Sequence, residues 1–153
     1  MTDAYIENTL IEAFLGINSF MAGNGFAGEP YITMKNGKPE NVSLPNAPFA
    51  EPDDKRFFIL SFLPNSPEPA GLGENAENRW TGVFQIDVII PIGEGTKEAE
   101  AKYEWICKLF SRGKMFGDVM VRRTYRAFSA ADPVMAFHRS VIRVEFDSTL
   151  PKD

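Results

Sequence analysis

Two apolar runs stand on either side of a stretch that can continue neither. "RFFILSFL" (56–63) is nearly unbroken and rich in aromatics, a length and composition that suit a strand buried on both faces. "TGVFQIDVIIP" (81–91) alternates instead. Phe84, Ile86, Val88 and Ile90 share one face, and Gln85 and Asp87 point the other way. Between them "PNSPEPAGLGENAEN" (64–78) holds three prolines and two glycines, which excludes helix and strand alike. A loop of that length inside a compact domain is usually functional or disordered. The chain is thereby committed to a sheet with a long connection at its middle.

Helices come before and after this pair. In 4–21, Ile6, Leu10, Ala13, Phe14 and Ile17 recur on one helical face. Thr2 or Asp3 can cap its start, and Asn18 and Gly23 offer stop signals. Over 97–111, Ala99, Tyr103, Ile106 and Phe110 make a buried stripe that Ala101, Trp105 and Leu109 widen. Thr96 is placed to cap it, acids crowd its start, and Lys108, Arg112 and Gly113 mark its end. Short extended pieces are expected at 31–34 and 41–44, with "KNGK" as a hairpin turn between them. Two last strands follow at 118–126 and 137–147, turned by "SAADP". In the second, Ser140, Ile142, Val144 and Phe146 face in, while Arg139, Arg143 and Glu145 face out.

The expected fold is α+β: a mostly antiparallel or mixed sheet of four to six strands, with two amphipathic helices on one face. The 153 residues fit one domain, with a core at 4–147 and a mobile loop at 64–78. The only cysteine is Cys107, which cannot form an internal disulfide, so an oxidising compartment is not needed, and the acidic N-terminus does not read as a signal peptide. No apolar run approaches the roughly 18 residues of a membrane span. These features suit a protein of the cytoplasm, or one assembled there.

Little in the chain reads as chemistry. "GNGFAG" (23–28) matches Gly-x-Gly-x-x-Gly, but a helix precedes it and "EPYIT" follows, where a dinucleotide site needs a strand before and a helix after. "GEGT" (93–96) stands between a strand and a helix but lacks the lysine of a phosphate loop. His138, the only histidine, has no nucleophile or orienting acid singled out for it. Cys107 reads as a packed thiol, and Asp53 and Asp54 as solvated turn acids, with Asp87 and Asp118 scattered elsewhere. No catalytic residue, cofactor or metal is expected.

Charge is distributed unevenly. Residues 1–107 carry 7 Lys/Arg against 16 Asp/Glu, and residues 108–143 carry 8 against 2, within an overall charge of −5. Three readings are open: a nucleic-acid face with Tyr125 and Phe128 as stacking rings, opposite charged sides for self-association, or a solvated strand face.

Several segments together resemble a known family. They are "LPNAPF" (44–49), "RFFILSFLP" (56–64), "GLG" (71–73), "NRWTGVFQIDVIIPIGEGT" (78–96) and "LFSRG" (109–113). This set resembles the tail-terminator-like family of tailed bacteriophages and prophages, related to the minor tail protein U of lambda-like siphophages. The resemblance covers about 4–147. Its most specific part is Arg79-x-x-Gly82-x-x-Gln85-Ile86-x-Val88-x-x-Pro91-x-Gly93-x-Gly95. It implies a sheet flanked by helices and a ring, expected to be hexameric, that caps the tail tube and ends its growth. It implies as partners other copies of the chain, the tube protein and a neck protein, with DNA only as cargo in the lumen and no membrane. A neck adaptor is the alternative within the same class. As interface residues we mark Glu68, Glu74, Glu77 and Arg79 at the long loop, and Arg122, Arg123, Arg126 and Arg143 on the basic strands.

Overall fold

The computed structural model of the protein describes residues 2–72 and 77–150. In chain order the elements are α1 Thr2–Leu15, α2 Ile17–Gly23, β1 Met34–Lys35, β2 Lys38–Pro39, β3 Val42–Ser43 and β4 Phe57–Pro64. There follow β5 Glu68–Pro69, β6 Asn78–Pro91, α3 Lys97–Leu109, β7 Met115–Phe116, β8 Val119–Asp132 and β9 Phe137–Leu150. The fold is α+β, as expected, and larger in both layers: among the described residues the main sheet has seven strands, with three helices. Six strands run in the order β3-β4-β6-β9-β8-β7, and β5 joins the start of β6. Among the described residues only β3 and β4 pair parallel. β1 and β2 form a separate hairpin, with Asn36 and Gly37 both at positive φ, as its tight turn requires.

The alternation in β6 decides where the core lies. Phe84, Ile86, Val88 and Ile90 are all buried toward the helices. Phe58 and Leu60 of β4 and Ile142, Val144 and Phe146 of β9 extend the same face across the sheet. Ile6, Leu10 and Phe14 of α1, Ile17 and Met21 of α2, and Ala99, Ile106 and Leu109 of α3 close over it. Aromatic edges lock the layers, with Phe14–Phe58 at 5.1 Å and Phe84–Phe110 at 6.0 Å between centroids. Each such fully buried ring stabilises the fold by about 1.5–3 kcal/mol.

Several expectations need correction. The first helix is two, because Gly16 leaves helical geometry at ψ 8°; the apolar stripe survives in Ile17 and Met21. Thr2 and Asp3 lie inside α1 rather than capping it. Residues 41–44 do not answer 31–34 across the turn: β3 leaves the hairpin and joins the main sheet. Asn18, read as a stop signal, is instead a brace. Its Oδ1 accepts from the Tyr31 and Ile32 amides at 3.0 and 3.1 Å, and its Nδ2 donates to the Ile32 carbonyl at 2.6 Å.

The Pro-rich segment is not free of strand. β4 runs through Pro64, and Glu68–Pro69 pairs with Arg79 and Asn78. Both prolines end edge strands, where a missing N–H is tolerated. "SAADP" is largely strand as well, since β8 continues to Asp132, and the turn at 133–136 closes on Ala136 at positive φ. On α3, Ala101 is exposed, and Lys102 is buried in its stead. The Lys102 stem packs inward while Nζ donates to Glu98 at 2.9 Å and lies 5.3 Å from the Phe58 ring. Thr96 sits at the N-cap position without a side-chain hydrogen bond.

Candidate functional site

With helices on one face, the sheet presents its other face and its two edges. The outward residues of β6 and β9 build an ordered set of ion pairs on that face. Arg79 grips Asp147 with both Nε and Nη2, the shortest contact being 2.7 Å. Arg123 of β8 pairs with Glu145 of β9 at 2.9 Å. Arg139 donates Nε to Asp87 Oδ2 at 2.8 Å, and its Nη2 bonds the same oxygen. Gln85 then bridges, donating to Asp87 Oδ1 at 3.0 Å and accepting from Arg143 Nε at 3.1 Å. Asp87 is only 1% exposed, so these donors replace the water its carboxylate has lost. Below this set Phe57, Ile89 and Phe137 form a small second apolar cluster, covered by Phe49.

The hydrogen bond from Arg123 holds Glu145 below the usual carboxylate range, and the bond to Asp147 raises Arg79. Glu98 on α3 is shifted by opposing causes. Burial works against its charge, but Lys102 and Arg56 together hold it below the ordinary value. Arg56 bonds Glu98 at 3.0 Å and Glu94 at 2.8 Å. The adjoining cleft of about 520 Å³ therefore presents cations that Glu98 already engages.

The residues marked from sequence do not form one site. Arg79, Arg123 and Arg143 share the open face, whereas Arg126 turns to the helix side. It bonds Glu100 at 2.8 Å and lies 4.4 Å from the Tyr103 ring. Arg122 is exposed at a register shift between Val121 and Arg123. Glu68 stands on β5 opposite Arg79, and Glu77 is exposed where the segment returns to β6. Glu74 lies outside the described residues. The sequence reading missed Asp87, Asp147 and Arg139 as partners. Their outward alternation was visible, but the register that pairs them was not.

The motifs suggestive of chemistry resolve as structure. In "GNGFAG" Gly23 ends α2, and the Phe26 ring packs on Tyr31 and Trp105. In "GEGT", Gly93 and Gly95 take positive φ, and the acid between them bonds Arg56 where an anion site would place a base. His138 Nε2 lies 3.0 Å from Ser129 Oγ, but its buried Nδ1 has no partner among the described residues, so no acid orients it. Burial pushes the Cys107 thiol up, away from the thiolate a nucleophile needs. Among the described residues no three His, Cys, Asp or Glu are grouped to hold a metal, and no helix is long and apolar enough to cross a membrane.

Comparison with known proteins decides the family. The phage tail terminator protein family matches residues 31–141, most of the chain, spanning β1 through the first part of β9. The chain belongs to the phage tail terminator family. Among the solved structures that match, one resembles it at TM-score 0.54 and 23% identity, over 74% of this chain and 82% of the other; that likeness speaks for the fold alone. No protein with a curated description matches it. Family membership makes this a phage tail component, and the structure gives Arg79, Gln85 and Gly82 of its matched segment physical roles. Arg79 clamps β6 to β9, and Gln85 links Asp87 to Arg143. Gly82 is required by space: a Cβ there would come within 2.6 Å of the Leu63 carbonyl oxygen.

Proposed function

We propose that this chain is a structural tail terminator: copies close into a ring on the head-proximal end of the tail tube, stop its polymerisation and present the surface to which the head joins. The family match over 31–141 carries this reading. The geometry supports it in two ways. A closing ring needs two different lateral surfaces on each subunit, and this sheet has two unlike edges. The charges of the open face are met by partners in the same chain, which suits a wall more than a ligand site. The partners in this reading are other copies, the tube protein and a neck protein. DNA passes only through the lumen, no cofactor is involved, and assembly takes place in the host cytoplasm.

Electron microscopy of a lysate in which this gene is disrupted tests the reading. Tubes of uncontrolled, excessive length beside tail-less filled heads are expected. Unattached tails of normal length would instead mean a neck adaptor and overturn the capping role.

A further inference from the structure

Each edge of the sheet is stepped. On one edge β3 covers β4 only at Phe58 and Ile59, and among the described residues no strand lies beside 60–64 on that side. On the other, β7 covers β8 at Val119 and Met120, Gly113 and Lys114 bond Val121, and among the described residues no strand lies outside 122–132. The ladder gives the heights of these steps. Phe58 and Ile59 are level with Val88 and Asp87, then with Ser140 and Val141, then with Ser129 and Phe128. Met115 and Phe116 are level with Thr81 and Trp80, just past the point where β4 ends. So β3 protrudes at one end of one edge, and β7 at the opposite end of the other.

Such steps are complementary between two copies standing side by side in the same orientation. β3 of one copy fills the notch beside 128–131 of the next, and β7 comes past the end of β4, beside the segment that leads from Asn65 to β5. Strand direction agrees. β4, β6, β9 and β8 alternate in direction and β3 follows β4, so β3 would meet β8 antiparallel. Chemistry agrees as well. After the register shift at 127, the edge at 128–131 reads Phe-Ser-Ala-Ala, with none of the charges or prolines that normally guard an open strand. Phe128 is 50% exposed, Met115 54% and Leu63 49%, apolar surface on the notches and their fillers.

We propose that copies of this chain join head to tail by β3 of one adding to β8 of the next, Val42 opposite Ser129 and Ser43 opposite Phe128. This rests on the ring reading above and specifies which surfaces close it.

The test uses Ser43→Cys and Phe128→Cys together in a Cys107→Ser background, treated with a short thiol cross-linker, beside native mass spectrometry of the assembly. A ladder of covalent multimers up to the ring size is expected from the double variant, and none beyond a dimer from either single one. In the unaltered chain, amides at 128–131 should exchange at least about tenfold more slowly on assembly. Rings that form with no ladder and no protection at 128–131 would overturn the edge pairing while leaving the ring intact. A chain that stays monomeric both alone and on tubes would overturn the ring reading and the pairing with it.

Discussion

The two faces of β6 are built from the same fourteen residues and held by different forces. Toward the helices Phe84, Ile86, Val88 and Ile90 lose all contact with water, and stability comes from apolar burial and close packing. On the other side Arg79, Gln85 and Asp87 reach across to Asp147, Arg143 and Arg139. Those bonds add modest stability but fix register, because each pairing is correct for only one alignment of β6 with β9. The face satisfies its own charges, whereas the edges leave backbone groups open.

This contrast can be broken by substitution. Phe84→Ala should cost the most, about 3–5 kcal/mol in denaturant unfolding, because it empties the centre of the packed face. Asp87→Ala should cost less, about 1.5–3 kcal/mol, since it leaves Arg139 and the Gln85 amide without their acceptor near the surface. If the two losses were equal, or reversed in order, the division of labour between the faces would be wrong.

Smaller still is the effect of pH through Glu98. Its folded pKa lies below the ordinary carboxylate value, so its contribution is fully present above that value and is lost as pH falls through the folded pKa. Thermal unfolding from neutral to acidic pH should therefore show a flatter acid limb for Glu98→Gln than for the unaltered chain. An unchanged limb would mean that Lys102 and Arg56 do not hold this carboxylate.

What the sequence disclosed was local. The alternation in β6 and the inward set of β9 were read correctly because a period of two needs no partner to be seen. The lower half of α3 was read correctly from its 3.6 period. Lys102 was not, because its burial depends on Glu98 one turn earlier and on Phe58 and Tyr31 from distant segments. Strand ends at Asn78 and Asp132 were missed for a similar reason: pairing with β9 extends both strands past the turn-like residues. The arginines of β8 show the deepest limit. A strict alternation cannot anticipate a bulge, and the shift at Arg122 sends Arg123 to the open face and Arg126 to the helices. Glu68 and Glu77 could be marked as exposed acids, but not as lying along one edge, because that follows from β5 pairing with β6.

The most direct test of the capping role adds the purified chain to tube protein while it polymerises and measures tube lengths by electron microscopy. Elongation should stop, with mean length falling as the ratio of chain to tube protein rises and added density at one end of each tube. Tubes that keep growing at an unchanged rate, with bare ends, would contradict it.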